Sequence, residues 1–173
     1  MALSLRASVE IPAPAALVFG VVSSPERLPE WNTSVLEARR GDGSASVGLG
    51  SRAVFRGRLL GQTLESETEV VAFDPPRLFA TRGIRGPRLE TTFRLSPFAF
   101  GTSLVVEVSG QVPGGALGGK LAERFLRTEL TASLQRLRSL CEQSARSAAE
   151  AEPPRGGDPA CWLHLQPEQD PST

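Results

Sequence analysis

One stretch limits what this chain can become more than any other. It is Gly114–Glu142, GGALGGKLAERFLRTELTASLQRLRSLCE, the one run long and periodic enough for a major helix. At about 100° per residue, Leu126, Leu130, Leu134, Leu137, Leu140 and Cys141 gather on one side, while Arg124, Arg127, Arg138 and Glu142 lie mostly away from it. A helix with a single apolar stripe needs an apolar surface to cover, and the chain before it supplies short alternating segments. The pattern predicts an α+β fold in which six or seven antiparallel strands form one curved sheet and this helix lies against its concave face.

The segments follow in order. Leu3–Ile11 alternates Leu3, Leu5, Ala7, Val9 and Ile11 against Ser4, Arg6, Ser8 and Glu10, the pattern of a half-buried strand. Pro12 and Pro14 end it, and Pro14 suits the entry to a short apolar helix over Ala15–Val22. Ser23-Ser24-Pro25 stops that helix and starts a second one, Glu26–Trp31. Thr33–Arg40 reads as a weaker strand, followed by a glycine-rich turn over Gly41–Gly50. Ser51–Leu59 and Gln62–Phe73 form a hairpin around Leu60-Gly61. One of its faces carries Ala53, Phe55, Gly57 and Leu59 with Leu64, Ser66, Thr68 and Val70. The other carries Arg52, Arg56 and Arg58 facing Glu65, Glu67 and Glu69, opposite charges that help fix register. Asp74-Pro75-Pro76 makes a turn, and Arg77–Gly83, Arg88–Leu95 and Thr102–Gly110 are the remaining strands. Residues 144–173 lose all periodicity and are rich in proline, glycine and charge, which predicts a disordered tail behind a domain spanning 1–143.

Several function classes find no support. Arginine plus lysine equals aspartate plus glutamate, 19 each, so no net field favours nucleic acid. Lys120 is the single lysine against 18 arginines, a bias that fits GC-rich coding and also suits carboxylate contacts. The N-terminus lacks a basic segment followed by an apolar one, and no apolar run approaches a membrane span, so a cytoplasmic protein without integral membrane association is expected. Two cysteines give no disulfide framework, and Cys141 falls on the apolar stripe as a small buried hydrophobe. Cys161 and His164 have a Cys-x-x-His spacing but too few companions for a zinc site. Gly114-Gly115-Ala116-Leu117-Gly118-Gly119-Lys120 lacks the Ser/Thr of a phosphate loop and reads as a flexible entrance to the helix. The sequence implies no cofactor and no metal, and leaves a homodimer open.

The chemistry of the inward phase is mostly negative. It carries aliphatic residues, phenylalanine, serine and threonine, with no ionisable group, whereas general acid–base catalysis needs one near substrate. There is no tyrosine, and the one histidine, His164, lies in the tail. Phe79 and Thr81 share one phase of their strand while Leu78, Ala80 and Arg82 share the other; turning the first pair inward keeps Arg82 in water. Trp31 is either a staple for the second short helix or a cavity wall. Phe125, with Leu121, falls off the main leucine stripe and faces either different packing or an opening.

Ile11-Pro12-Ala13-Pro14 through Val18-Phe19, then Ser24-Pro25-Glu26-Arg27-Leu28-Pro29-Glu30-Trp31-Asn32, resembles the start of START-like (SRPBCC) domains of the polyketide cyclase/dehydrase branch. Gly48-Leu49-Gly50-Ser51-Arg52, Phe73-Asp74-Pro75-Pro76-Arg77-Leu78, Gly101-Thr102 and the long closing helix fit the same pattern over roughly residues 1–143. The resemblance implies a helix-grip fold around an apolar cavity and binding of lipids, polyketides or similar molecules. It also implies two alternatives, a cyclase or dehydratase, for which Arg82 and Glu90 are the candidate acid or base, and a component of a bacterial toxin–antitoxin pair.

The expectation is therefore a binding domain for a small hydrophobic molecule between sheet and closing helix. Its expected ligand-binding residues are Trp31, Phe55, Leu64, Ser66, Thr68, Phe79, Thr81, Thr91, Phe93, Leu104, Val106 and Phe125, with no catalytic residue. Ser66, Thr68 and Thr91 would orient the ligand through their hydroxyls.

Overall fold

The computed structural model describes residues 2–41, 43, 46–59, 61–111 and 115–151, the side chains of 115–117 excepted. The elements run β1 (Ala2–Ile11), α1 (Ala15–Ser23), a 3-10 turn (Pro25–Arg27), α2 (Leu28–Trp31), β2 (Val35–Arg40), β3 (Arg52–Leu59), β4 (Gln62–Asp74), β5 (Leu78–Arg85), β6 (Leu89–Phe98), β7 (Gly101–Gln111) and α3 (Gly115–Ala151). The seven strands form one antiparallel sheet in the order β1-β7-β6-β5-β4-β3-β2. Strands β2 to β7 are a plain meander, because each connection is short enough to return the chain beside itself. The last strand then closes against the first, pairing Ala2 with Gln111 through to Ile11 with Thr102. This is the curved antiparallel sheet expected from the alternation pattern, in the helix-grip arrangement that the family resemblance implies.

Register in the β3–β4 hairpin follows from its side-chain chemistry. Phe55 sits opposite Ser66 and Ala53 opposite Thr68, while Arg52 sits opposite Glu69 and Arg56 opposite Glu65. A slip of one residue would turn the arginines and glutamates into the sheet's concave side, where they would lose water. On the outer face Arg52 pairs with Glu67, Arg56 with Glu37, Arg82 with Glu90, and both Arg6 and Arg94 with Glu107. These pairs are largely exposed, so each contributes about 0–1 kcal/mol and serves register more than stability.

The main core joins the concave face to the helices. Val18, Phe19, Val21 and Val22 of α1 and Trp31 of α2 meet Val9, Ile11, Phe79, Phe93, Leu95, Leu104 and Val106 of the sheet and Leu134, Leu137 and Cys141 of α3. The leucine stripe of α3 is thus buried over its central turns. Nearer its start, Ala122 and Leu126 pack with Leu3, Leu5, Leu89 and Val108. Aromatic rings run in a chain through the core: Phe73 to Phe19 at 5.5 Å, Phe19 to Phe79 at 6.2 Å, Phe79 to Phe93 at 5.9 Å and Phe93 to Trp31 at 6.2 Å between centroids. Most of these contacts are edge-to-face, the geometry that ring quadrupoles favour.

Three elements differ from expectation, each for a local reason. The second short helix divides into the 3-10 turn and α2, with Pro25 at the first position of one and Pro29 at the second position of the other, both in the first turn where no backbone N–H is required. Strand β2 begins at Val35 rather than Thr33, because Thr33 and Ser34 turn their hydroxyls to α3. Helix α3 runs on to Ala151, through Ser144–Ala151 where periodicity is lost. That stretch is rich in alanine, and Glu142 pairs with Arg146 one turn on, so it gains helix without needing an apolar stripe. Gly115, Gly118 and Gly119 belong to α3 itself; Gly114, Leu60 and the Cys161–Leu165 segment with His164 lie outside the described residues. The Asp74–Arg77 turn contains a cis Pro75–Pro76 peptide.

Cys141 is fully buried against the core. Loss of hydration pushes its thiol from 9.0 up to about 11, opposed in part by the positive charge of Arg27. The folded state thus holds the proton more tightly than the unfolded chain. Its contribution to stability is complete below the unfolded value and is lost as pH rises from 9.0 toward 11. Iodoacetamide at about pH 8 is expected to spare Cys141 in the native protein and modify it in urea, because the thiolate is the nucleophile. Peptide mass mapping reads this directly, and equal labelling in both states would contradict the burial.

Candidate functional site

A cavity of about 250 Å³ opens on the concave side of the sheet. Strands β3 to β6 supply most of one wall: Ala53, Phe55, Gly57 and Leu59, then Leu64, Ser66 and Thr68, then Phe79 and Thr81, then Leu89, Thr91 and Phe93. These are the inward phases of four successive strands, so period-2 alternation alone brings them together. The opposite wall comes from the α1-to-β2 segment, with Val22, Leu28, Trp31 and Val35 as its apolar members. Trp31, Phe79 and Phe93 are also buried core residues and form the floor. Arg58 is the exposed member of the lining and marks the rim.

Polar groups on the walls are few, and those of the sheet differ from Asn32 and Ser34 of the helical wall, which are hydrogen-bonded. Ser66 is only 7% exposed, and Thr68, Thr81 and Thr91 are half-buried. None of these four hydroxyls has a hydrogen-bond partner within the described residues. The indole N–H of Trp31, 2% exposed, has none either. Of these groups the indole N–H is the fully buried one; the hydroxyls lie at the cavity surface with their hydrogen-bonding capacity available. Among the described residues that line the cavity, Arg58 is the one ionisable side chain, and it is exposed at the rim.

The α2–β2 junction is locked to α3 by a compact polar cluster. Thr33 Oγ1 and Ser34 Oγ both donate to Glu129 Oε2, at 2.6 and 2.9 Å, and the Thr33 N–H donates to Ser133 Oγ at 3.0 Å. One turn earlier Arg27 donates to both carboxylate oxygens of Glu30 at 3.0 Å, which holds the Glu30 carboxyl below its ordinary range. The wall segment therefore reaches the cavity in a defined pose rather than as a loose loop.

Nine of the twelve residues expected at the site share this cavity: Trp31, Phe55, Leu64, Ser66, Thr68, Phe79, Thr81, Thr91 and Phe93. The other three do not reach it. Leu104 and Val106 have the right phase but are 0% exposed, because β7 lies between β1 and β6 and α1 packs across β6 and β7. Phe125 is half-buried beside the exposed Leu121, and its neighbour Leu126 is the α3 residue that touches the cavity. Among the described residues the closing helix thus contributes Leu126 alone, and the α1-to-β2 segment makes the helical wall. Gly57, Leu59 and Leu89 continue phases already read as inward; Leu28, Asn32 and Ser34 lie in non-periodic chain and left no comparable signal. Arg82 and Glu90 pair with each other at 3.2 Å on the outer face and do not line the cavity. Among the described residues no cluster of His, Cys, Asp or Glu could hold a metal ion, and no helix is long and apolar enough to cross a membrane.

Residues 2–142 match the family described as polyketide cyclase/dehydrase and lipid transport. The chain belongs to that family. Among solved structures, this family member is similar to the protein TTHA0849 from Thermus thermophilus at 21% identity, covering 84% of this chain and 99% of that one with a TM-score of 0.68. The protein NE0264 from Nitrosomonas europaea gives 17% identity over 82% and 96% of the two chains, with a TM-score of 0.65. Ara h 8.0201 gives 14% identity over 83% and 99%, with a TM-score of 0.64. At these identities the likeness is one of fold. No curated protein matches the chain.

Proposed function

We propose that this family member binds a small hydrophobic molecule of the lipid or polyketide kind, bearing one or more oxygen atoms, in the cavity between β3–β6 and the α1-to-β2 segment. The observation that carries this reading is the combination of apolar walls with unpaired hydroxyls on Ser66, Thr68, Thr81 and Thr91. Burial of an apolar body supplies affinity at about 25 cal/mol per Å², before the cost of association. Oxygen atoms on the ligand would complete the wall hydroxyls and set its orientation. The family description also names cyclase and dehydrase chemistry. Binding is favoured over such chemistry because the one ionisable lining residue is a guanidinium, which stays protonated and cannot relay a proton.

Native mass spectrometry of freshly purified protein, compared with the denatured mass, tests the proposal. A reproducible adduct that is lost on denaturation, and whose extract is apolar and oxygenated, is the expected result. A wholly apo protein that also takes up no member of a panel of fatty acids, sterols and aromatic polyketides would overturn it.

A further inference from the structure

The rim of the cavity carries a charge that its interior lacks. Arg58 lies at the end of β3, on the phase that points outward at Arg52 and Arg56, yet it borders the cavity. Its place is set by the backbone: the Arg58 N–H donates to the Ser34 carbonyl at 2.7 Å. Gly57 makes that approach feasible, since a Cβ there would stand 2.7 Å from the same oxygen. Arg52, Arg56, Arg82 and Arg94 each meet a glutamate on the outer face. The Arg58 side chain meets none within the described residues. The acidic side chain linked to Ser34, Glu129, already spends its Oε2 on two hydroxyls. The β5–β6 turn brings Pro87 and Leu89 to the same cavity. On either side of Pro87 the exposed Arg85 and Arg88 are also without ion pairs among the described residues.

We infer that the ligand is an anionic amphiphile whose carboxylate sits at the rim on Arg58, with its apolar body running inward to Trp31 and Phe93. This rests on the cavity-binding reading above and adds the ligand's polarity and direction. A guanidinium offers two parallel N–H donors that match a carboxylate's two oxygens. The interior holds no cation, so an ionised head carried inward would be buried unpaired, which is strongly unfavourable. The head stays at the rim and the tail enters first.

The test compares decanoate with 1-decanol, probes of equal chain length, by calorimetric titration into the full-length protein. Arg58→Gln is the site variant, and Arg56→Gln is a control on the outer face. Decanoate is expected to bind the unmodified protein roughly tenfold more tightly than decanol at low salt, the scale of a charge-assisted contact at a partly hydrated rim. Arg58→Gln should abolish that preference by bringing decanoate affinity down to about that of decanol, and Arg56→Gln should leave the preference intact. Salt at about 0.5 M should shrink the preference by screening. Equal affinities in the unmodified protein, or a preference that survives Arg58→Gln, would overturn the inference and leave the cavity reading standing. Failure of both probes to bind would overturn the inference, whereas the cavity reading itself falls only with the wider panel of fatty acids, sterols and aromatic polyketides.

Discussion

Trp31→Ala is expected to lower the unfolding free energy by about 3–5 kcal/mol, the largest stability loss we anticipate from a single substitution near the site. Trp31 is 2% exposed and is the one buried side chain of α2. Its ring meets Phe93 edge-on at 88°, so it couples the short α2 segment to the middle of the sheet. Four residues cannot hold themselves as a helix in water, because nucleation costs more than one turn returns. The tryptophan therefore anchors the segment, and its removal leaves a void against the existing cavity that the neighbouring rings cannot fill. Trp31→Phe separates packing from polarity. The indole N–H has no partner, so no hydrogen bond is lost, and the cost should stay below about 2 kcal/mol. Urea denaturation followed by circular dichroism gives both numbers. A Trp31→Ala loss no larger than that of Trp31→Phe would show that α2 is held by the Thr33–Glu129 cluster instead.

Much of this architecture was legible in the alternation of polar and apolar residues. Where a strand is wet on one face and covered on the other, as at Arg52–Leu59 and Gln62–Asp74, the inward set can be read off directly, and the arginine–glutamate register confirms it. The fate of an inward residue is a different matter. Thr91 and Leu104 share a phase, yet one faces the cavity and the other is sealed, because the difference lies in which helix crosses above them. That is a property of tertiary packing, and no local pattern records it. Arg58 shows the complementary gap. Its phase matches Arg52 and Arg56, and only its position at the strand end, bonded to Ser34, brings it to the rim. The α1-to-β2 wall was hidden for a third reason: two short pieces of three and four residues have no period long enough to reveal a face. The extension of α3 to Ala151 reflects propensity and an i,i+4 ion pair acting without amphipathicity, so a reading based on stripes ends the helix too early.

Filling the cavity should separate binding from folding. Thr91 is half-buried on β6, opposite Thr81 of β5 and Val108 of β7, and its side chain borders the open volume near Phe93. Thr91→Phe places a ring into space that holds no protein atoms, so overpacking strain is small, and the substitution replaces an unpaired hydroxyl with apolar surface. Unfolding free energy is expected to hold or rise by up to about 1 kcal/mol, as cavity-filling substitutions commonly do. Affinity for an apolar ligand should fall at least ~100-fold, about 2.7 kcal/mol, because a ring takes a large share of a cavity of only about 250 Å³. The opposite pairing of results is equally informative. If Thr91→Phe destabilises the fold by several kcal/mol while binding survives, the ligand lies elsewhere and the volume beside Phe93 is tightly packed in solution. Retained stability with lost binding has no explanation in terms of unfolding, and it ties the ligand to this wall of the sheet.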